Sequence, residues 1–481
     1  MKTVLAIDLG AESGRVMAVH FDGRQLRLEE LHRFPNHRVT VHSRLYWDFL
    51  SLWREIQEGV ARGQAHRPAS LGVDTWGVDF ALLDAHGELI GNPVHYRDAR
   101  TEGIMERVFE IVPRAEVFAQ TGIQFMPINT LYQVMSLVVA GSPQLAIAQA
   151  FLTSPDLINY WLTGVKAGEF TIATTTQMFN PLTGDWAYPL LSDLGIPTHI
   201  FPQIVQPGTC LGTYDGIPVI APACHDTGNA VAAVPAQTPD YAYISSGTWS
   251  LVGLEVPQPI INAAALEANV TNEGGAYGTY RLLKNVTGLW LLQQCRATWS
   301  QHSGPLAYGE LVQLAEEASP FYAWIDPNDP AFLPPGDHPA RVQAWCQASG
   351  QPVPETRGAV VRCVLESLAL EYRRVLELLR SLTGRAVEVI HIVGGGSQNE
   401  MLCQMAADAC GLPVAAGPVE ATVIGNALVQ LIAAGELADI REARRLVGRM
   451  GTMKRYEPRP DERWEEAYWK YLALIDKGER G

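Results

Sequence analysis

Two α/β domains separated by a cleft are what this sequence predicts, and three observations predict them. The chain has 481 residues, more than a single hydrophobic core accommodates and enough for two domains of about 200 to 250 residues each. A strand, a glycine-containing turn and a second strand open the chain at MKTVLAIDLGAESGRVMAVHF, and the pattern restarts at YAYISSGTWSLVGLE, Tyr241 to Glu255. Apolar strand-like runs alternate with stretches of helical periodicity along the chain. The expected division is residues 1–236, residues 237–455 and a charged, amphipathic helical tail over 456–481.

Each element has its own signal. Thr3 to Ile7 is apolar and β-prone, Gly10 to Gly14 supplies the turn, and Arg15 to Phe21 returns as the second strand. A further apolar strand ends in LGVDTWGVDF, Leu71 to Phe80, and GNPVHYRDART, Gly91 to Thr101, suggests another. Helical periodicity follows from about Glu102 to Phe118 and from Thr130 to Val139. Proline and glycine punctuate the chain from Pro202 to Pro222, ahead of a loop and small-residue helix at ACHDTGNAVAAV. Arg357 to Leu382 carries apolar residues at helical spacing. Val387 to Gly411 reads as strand, glycine turn and helix, and Gly417 to Leu437 as an alanine-rich helix.

Composition narrows the function. Hydrophobic residues make up 47% and charged residues 18%, an ordinary globular balance. Thirty-six basic against 51 acidic residues give a net charge of −15, and with no long basic run, nucleic acid is not an expected partner. Asp8 interrupts the N-terminal apolar run too early for a signal peptide, and the longest apolar stretch, Leu131 to Leu152, is broken by Gly141, Ser142 and Pro143. A soluble cytosolic protein without a membrane partner is expected. The seven cysteines are irregularly spaced with no CxxC pair, which argues against a zinc site or a disulfide framework; Cys346 and Cys363 could close a loop, and free thiols are the expectation in a reducing compartment.

Three turns combine an apolar strand with glycines and hydroxyls: Asp8 to Arg15, Ser245 to Ser250 and Gly394 to Asn399. Glycine lets backbone N–H groups approach phosphate oxygens, and Ser or Thr adds a donor. None has Walker A spacing or the GxGxxG fingerprint. Each taken singly also reads as a structural hairpin turn, whereas three in one chain point to a nucleotide held between hairpins.

At this point DLGAESGR, SSGTWSL and IVGGGSQN resemble the phosphate-1, phosphate-2 and adenosine motifs of the actin-like ATPase superfold, in its FGGY carbohydrate kinase family. YRDART, YWLTG, CHDTGNAV and EATVIGNA extend the resemblance, in order, over residues 1 to about 455. GVDTWGVDFALLD, TGIQFMPINTLYQ, EFTIATTTQM, TNEGG and LLKNVTGLWLLQ are similar to segments of the branch that phosphorylates L-rhamnulose. The resemblance implies two actin-like (ribonuclease H-like) domains with a central cleft, and ATP-dependent phosphorylation of L-rhamnulose at the 1-hydroxyl. Another ketose such as L-fuculose or xylulose, or a catalytically silent sugar or nucleotide sensor, are the competing expectations.

The resemblance also implies roles. Asp226 matches the family's general base; read locally, it also suits the cap of the following helix. Gly77, His225, Thr227 and Asn285 match sugar contacts, with Asp74 and Trp76 near them, although Trp76 reads equally well as a core residue and Asn285 as a buried structural amide. Ala11, Glu12, Ser13, Gly14 and Arg15 should cradle the terminal phosphates of ATP, Thr248 should donate to a phosphate, and Gln293 and Gly395 should border the adenosine. Mg²⁺ is expected to bridge the phosphates and to reach Asp8 through water, unless Asp8 braces the turn. Glu12 departs from the family pattern, which has a small residue there: beside phosphates it must point outward or face a cation.

Overall fold

The computed structural model describes residues 1–451 and 453–478, so residues 479–481 of the anticipated tail lie outside the described residues. The chain divides into two compact units. The first comprises 1–237, 255–282 and 421–451; among the described residues, the second comprises 238–254, 283–420 and 453–478. Neither unit is contiguous, in contrast to the simple division at residue 236, and the tail belongs to the second unit rather than standing apart.

The first unit is built on a six-stranded sheet, ordered Cys210–Tyr214, Ile217–Ile220, Ser70–Thr75, Lys2–Leu9, Ser13–Phe21, Leu26–Pro35. Lys2–Leu9 pairs antiparallel with Ser13–Phe21 and parallel with Ser70–Thr75. From Thr3 onward this strand is buried on both faces, which explains its unbroken apolar run. Leu5, Ile7 and Leu9 point into a core with Phe49, Leu52 and Ile56 of the helix Phe49–Gly63. Side chains alternate along a strand, so Asp8 and its register partner Asp74 face the other way.

That second face is covered by the helix Ala421–Ala433, which is buried over most of its surface. Asn426 and Gln430, one turn apart, anchor it: Gln430 Nε2 donates to Leu5 O at 2.9 Å and Ser70 Oγ donates to Gln430 Oε1 at 2.7 Å. A Cβ on Gly72 would lie 2.8 Å from Asn426 Oδ1 and 2.9 Å from Gln430 Nε2, so any side chain there would displace the two amides that anchor the helix. These contacts draw a segment more than 400 residues downstream into the first unit.

The second unit repeats the hairpin-plus-parallel-strand plan. Tyr241–Ser246 pairs antiparallel with Trp249–Val256 and parallel with Val389–Val393, followed by Val414–Ala416 and Lys454–Tyr456. The 27-residue helix Arg357–Thr383 supplies its main apolar stripe. Against that helix lies Arg463–Gly478, whose Trp464, Tyr468, Tyr471 and Ile475 are buried at helical spacing. Tyr471 Oη donates to Glu371 Oε2 at 3.0 Å, and Arg373 sits 3.9 Å above the Tyr468 ring.

Two local expectations are corrected. Gly91 to Thr101 forms only an isolated bridge, Tyr46 to Val94, and a short 3₁₀ turn at Ala99–Thr101. Asp98 accepts Arg100 N at 3.0 Å and Leu45 N at 2.7 Å, which curls the segment before a ladder can form. The periodicity from 102 to 118 resolves into two helices, Ile104–Ile111 and Arg114–Thr121, separated at Pro113, which cannot continue a helix. All seven cysteines are free thiols. Among the described residues, no helix is long and apolar enough to cross a membrane.

Candidate active site

Asp226 is the first residue of the helix Asp226–Ala232, directly after the strand Ile217–Ile220 and a five-residue loop. Almost every turn of that loop is pinned by a buried side chain. Cys224 N donates to Glu169 Oε2 at 3.1 Å, His225 N donates to Thr171 Oγ1 at 3.2 Å, and Ala223 N donates to Asn229 Oδ1 at 3.1 Å. Cys224 O accepts Thr75 N at 3.0 Å, tying the loop to the end of the neighbouring strand. Glu169 in turn caps the helix Phe170–Thr175 through Thr171 N and Ile172 N. The chain thus presents Asp226 on a fixed backbone.

The Asp226 carboxylate accepts Thr227 N at 2.6 Å and the Thr227 hydroxyl at 3.3 Å, both on Oδ1, and makes no cap across the first turn. Its side chain keeps 31% of its surface exposed. Burial pushes its pKa above the ordinary carboxylate range against the pull of His225, and the nearby charge of Asp8 adds to the rise. A carboxylate tuned upward in this way is a stronger proton acceptor than a surface aspartate.

Behind Asp226 runs a chain of charged groups. His225 Nε2 lies 3.3 Å from Asp226 Oδ1, and His225 Nδ1 lies 3.0 Å from Arg281 Nη2 and 3.2 Å from Glu273 Oε2. Arg281 is fully buried; its Nε donates to Gly274 O at 2.9 Å and its Nη2 sits 3.1 Å from Glu273. A guanidinium donor and a carboxylate acceptor thus both meet the same ring nitrogen of His225, while its Nε2 faces Asp226. Burial raises the Glu273 pKa, but Arg281 and His225 outweigh it and hold the carboxyl below its usual range.

Glu169, Thr171, Asn229, Glu273 and Arg281 were not among the residues singled out from the sequence. Their signal is a charged or polar residue inside a run that is otherwise buried: Glu169 in GEFTI, Glu273 in TNEGG, Arg281 in TYRLL. Such a residue must have a partner.

The hairpin turn of the first unit carries Ala11 to Arg15. Arg15 Nε and Nη2 hold Asp8 Oδ2 at 2.9 and 2.8 Å across the hairpin, so Asp8 braces the turn through its register partner. Glu12 is exposed, and its carbonyl accepts Asn36 N at 3.0 Å. Asp74, fully buried, accepts Asn229 Nδ2 at 3.0 Å and Asn426 Nδ2 at 2.6 Å. Burial, reinforced by Asp8, raises its pKa strongly. Trp76 is a core residue: 5% exposed, with Nε1 donating to Asp79 at 2.8 Å and its ring 4.3 Å from that of Trp47. Gly77 stands beside His225, whose Nε2 would be 3.4 Å from an added Cβ, so a larger residue would crowd the same space.

In the second unit, Thr248 forms the tip of the hairpin between Tyr241–Ser246 and Trp249–Val256. Its carbonyl accepts Trp290 N at 3.1 Å, and its hydroxyl accepts Gln293 Nε2 at 3.4 Å from the helix Trp290–Ser303. Gln293 Oε1 is buried without a partner, an acceptor that an adenosine donor could satisfy. Gly394 takes φ +84°, and a Cβ on Gly396 would lie 2.0 Å from Ser246 Oγ, so the glycine turn abuts the hairpin strand while Gly395 faces open space. Asn285 lies half-buried on the strand Tyr280–Thr287.

The scaffold under the Asp226 loop carries its own titration. Asp156 accepts the Thr153 hydroxyl at 2.5 Å and Glu169 N at 3.1 Å. Burial pushes the Asp156 pKa to about 8 and that of Glu169 to about 7, the Glu169 charge adding to the rise of Asp156. Both pKa values lie above their unfolded values near 4, so the native state retains protons that the unfolded chain has lost. Their contribution is full below about pH 4 and is lost as pH climbs through 7 and 8, at up to about 1.4 kcal/mol per pH unit per proton. Asp156→Asn keeps the shape without the proton. Its urea-unfolding free energy should decline less steeply than wild type between about pH 5 and pH 8; parallel slopes would contradict the titration.

Comparison with known proteins defines the class. Residues 3–217 match the N-terminal domain, and residues 242–434 the C-terminal domain, of the FGGY family of carbohydrate kinases. The chain belongs to that family. It is similar to the rhamnulokinase of Bacteroides thetaiotaomicron, 45% identical over 98% of this chain and 99% of that protein, and to the rhamnulokinase of Pectobacterium atrosepticum, 42% identical over 98% and 97%. Among solved structures it resembles a xylulose kinase from Lactobacillus acidophilus, with a TM-score of 0.80, 16% identity and coverage of 99% and 98%. A glycerol kinase from Plasmodium falciparum follows, with a TM-score of 0.76, 15% identity and coverage of 100% and 98%. These likenesses establish the two-domain, actin-like α/β fold.

Proposed function

We propose that this chain transfers the γ-phosphoryl group of ATP to the 1-hydroxyl of L-rhamnulose, giving L-rhamnulose 1-phosphate and ADP, as a cytoplasmic enzyme of L-rhamnose catabolism. The observation that carries the reading is the end-to-end identity of 42 to 45% with rhamnulokinases. Its partners on this reading are small molecules, with neither nucleic acid nor a membrane involved.

Asp226 takes the proton of the 1-hydroxyl as that oxygen attacks the γ-phosphorus, and the bond from phosphorus to the bridging oxygen of ADP breaks. Thr227 and His225 hold one carboxylate oxygen and so fix the direction of the base. Arg281 and Glu273 hold His225 in turn. His225, Thr227, Gly77 and Asn285 contact the sugar. The backbone of Ala11 to Gly14, with Arg15, receives the terminal phosphates, Glu12 contributing main chain only; Thr248 donates to phosphate, and Gln293 and Gly395 border the adenosine. Mg²⁺, if bound, would meet Asp8 only through water, since Arg15 holds Asp8 Oδ2 across the hairpin, and would neutralise phosphate charge.

The test is a ketose panel. Purified chain with MgATP should release ADP with L-rhamnulose at a kcat/KM about tenfold or more above that for L-fuculose or D-xylulose, and the product should carry phosphate on O1. Faster turnover of another ketose would overturn the substrate; no ADP release with any ketose would leave a silent sensor.

A further inference from the structure

We propose that His20, Glu29 and His66 form a binding site for one divalent first-row transition cation, with Zn²⁺ as the probe. Three separate segments of the first unit supply the ligands. His20 stands near the end of the strand Ser13–Phe21, Glu29 on the adjacent strand Leu26–Pro35, and His66 closes the 3₁₀ turn Gln64–His66 after the helix Phe49–Gly63. One ligand atom from each lies within 4.8 Å of the other two. His20 Nε2 is 3.4 Å from Glu29 Oε2, and His66 Nε2 is 3.8 Å from Glu29 Oε1. Donors on a tetrahedral zinc ion, at bond lengths of about 2.0 to 2.2 Å, stand about 3.3 to 3.6 Å apart; the His20–Glu29 pair already has that spacing, and His66, which faces the other carboxylate oxygen, must move in to complete three corners. The fourth is left to water, because Glu29 and His66 remain partly exposed at 38% and 25%.

The buried ligand is already oriented. His20 is 3% exposed, and its Nδ1 lies 2.9 Å from the hydroxyl of Thr3 on the neighbouring strand. Metal-ligating imidazoles are held in this way, the second nitrogen engaged so that the first points at the ion. A hydroxyl both donates and accepts, so Thr3 satisfies His20 whether its proton is on Nδ1, as a bound metal requires, or on Nε2, facing Glu29. Two imidazoles and one carboxylate suit zinc, nickel and cobalt, whereas magnesium and calcium prefer oxygen donors. The bound ion would tie the hairpin to the end of the helix. His20 is five residues along its strand from Arg15, about 17 Å at 3.4 Å per residue, so the site is separate from the phosphate turn. Arg27 Nη1, 3.1 Å from Glu29 Oε2, is the resident cation with which the metal must compete.

The experiment is isothermal titration of the metal-stripped full-length chain with ZnCl₂ in the absence of nucleotide, circular dichroism confirming that each variant is folded. Wild type should bind one equivalent more than the His20→Ala/His66→Ala double variant. His66→Ala and Thr3→Val should each weaken that equivalent by about tenfold or more. Arg27→Ala, at an exposed position, should tighten it by removing the competing charge, a gain that misfolding cannot mimic. Equal stoichiometry and affinity in wild type and double variant would assign any bound zinc to the cysteines and overturn the site. So would an absence of binding at millimolar Zn²⁺, or an Arg27→Ala variant that binds no more tightly.

Discussion

Asp226→Asn is expected to lower kcat by about 10² to 10⁴-fold while ATP affinity stays within about twofold. Asparagine has the same shape, and its side-chain oxygen can still accept Thr227 N, the contact aspartate makes at 2.6 Å. What is lost is the capacity to receive a proton. The helix and its loop are held by Glu169, Thr171 and Asn229, so the variant should fold normally. Removing a carboxyl whose surroundings raise its pKa leaves stability unchanged or slightly higher. The wild-type pH–rate profile follows from the same group: kcat/KM should fall on the acid side at a pH above the ordinary carboxylate range, because burial raises the pKa of Asp226. Coupled ADP-release kinetics and calorimetric ATP titration make the measurement. Turnover within about tenfold of wild type would refute Asp226 as the base.

The second large effect is expected at Gly425, in the helix Ala421–Ala433. A Cβ there would lie 1.9 Å from the carbonyl oxygen of Asn229, 2.5 Å from its carbon and 2.9 Å from its Cα. These are backbone atoms of the helix that Asp226 begins, so neither a rotamer change nor a local twist relieves the clash; the two helices must separate. Gly425→Ala should cost about 3 kcal/mol or more by overpacking, a fall of about 6 to 12 °C in Tm. Because Asn229 also holds Ala223 N and Asp74, the displacement should reach the Asp226 loop and lower kcat at temperatures where the variant is folded. Gly309 serves as the control: it lies in the helix Tyr308–Glu317 with no atom within 4 Å of an added Cβ, and alanine there should be neutral or stabilising by up to about 1 kcal/mol. Equal melting temperatures for the two variants would contradict the close approach.

The turns and strands that carry local chemistry were legible before any coordinates. Asp8 interrupts an apolar run, Gly394 to Gly396 follow a strand, and Arg357 to Leu382 repeat at helical spacing; each reports on neighbours a few residues away. The Gly91 to Thr101 segment failed that reading because Asp98 bonds to Leu45, more than 50 residues back, and curls the chain. Trp76 reads equally as pocket or core in sequence, and its contacts with Asp79 and Trp47, the latter 29 residues earlier, are what make it core. Glu169 and Arg281 escaped notice for the same reason: their partners Cys224 and His225 lie 55 and 56 residues away, and a strand pattern does not record who faces it.

The helix Ala421–Ala433 reaches back to Leu5 through Gln430 and to Gly72 and Asp74 through Asn426. The ribosome therefore makes the first strand of the sheet more than 400 codons before the element that covers it. Until that helix emerges, Asp74 has the amide of Asn229 but not that of Asn426, and the Leu5 carbonyl lacks Gln430. Folding of the first unit is therefore completed only when synthesis is nearly over, which leaves a long interval in which one sheet face lacks its covering helix.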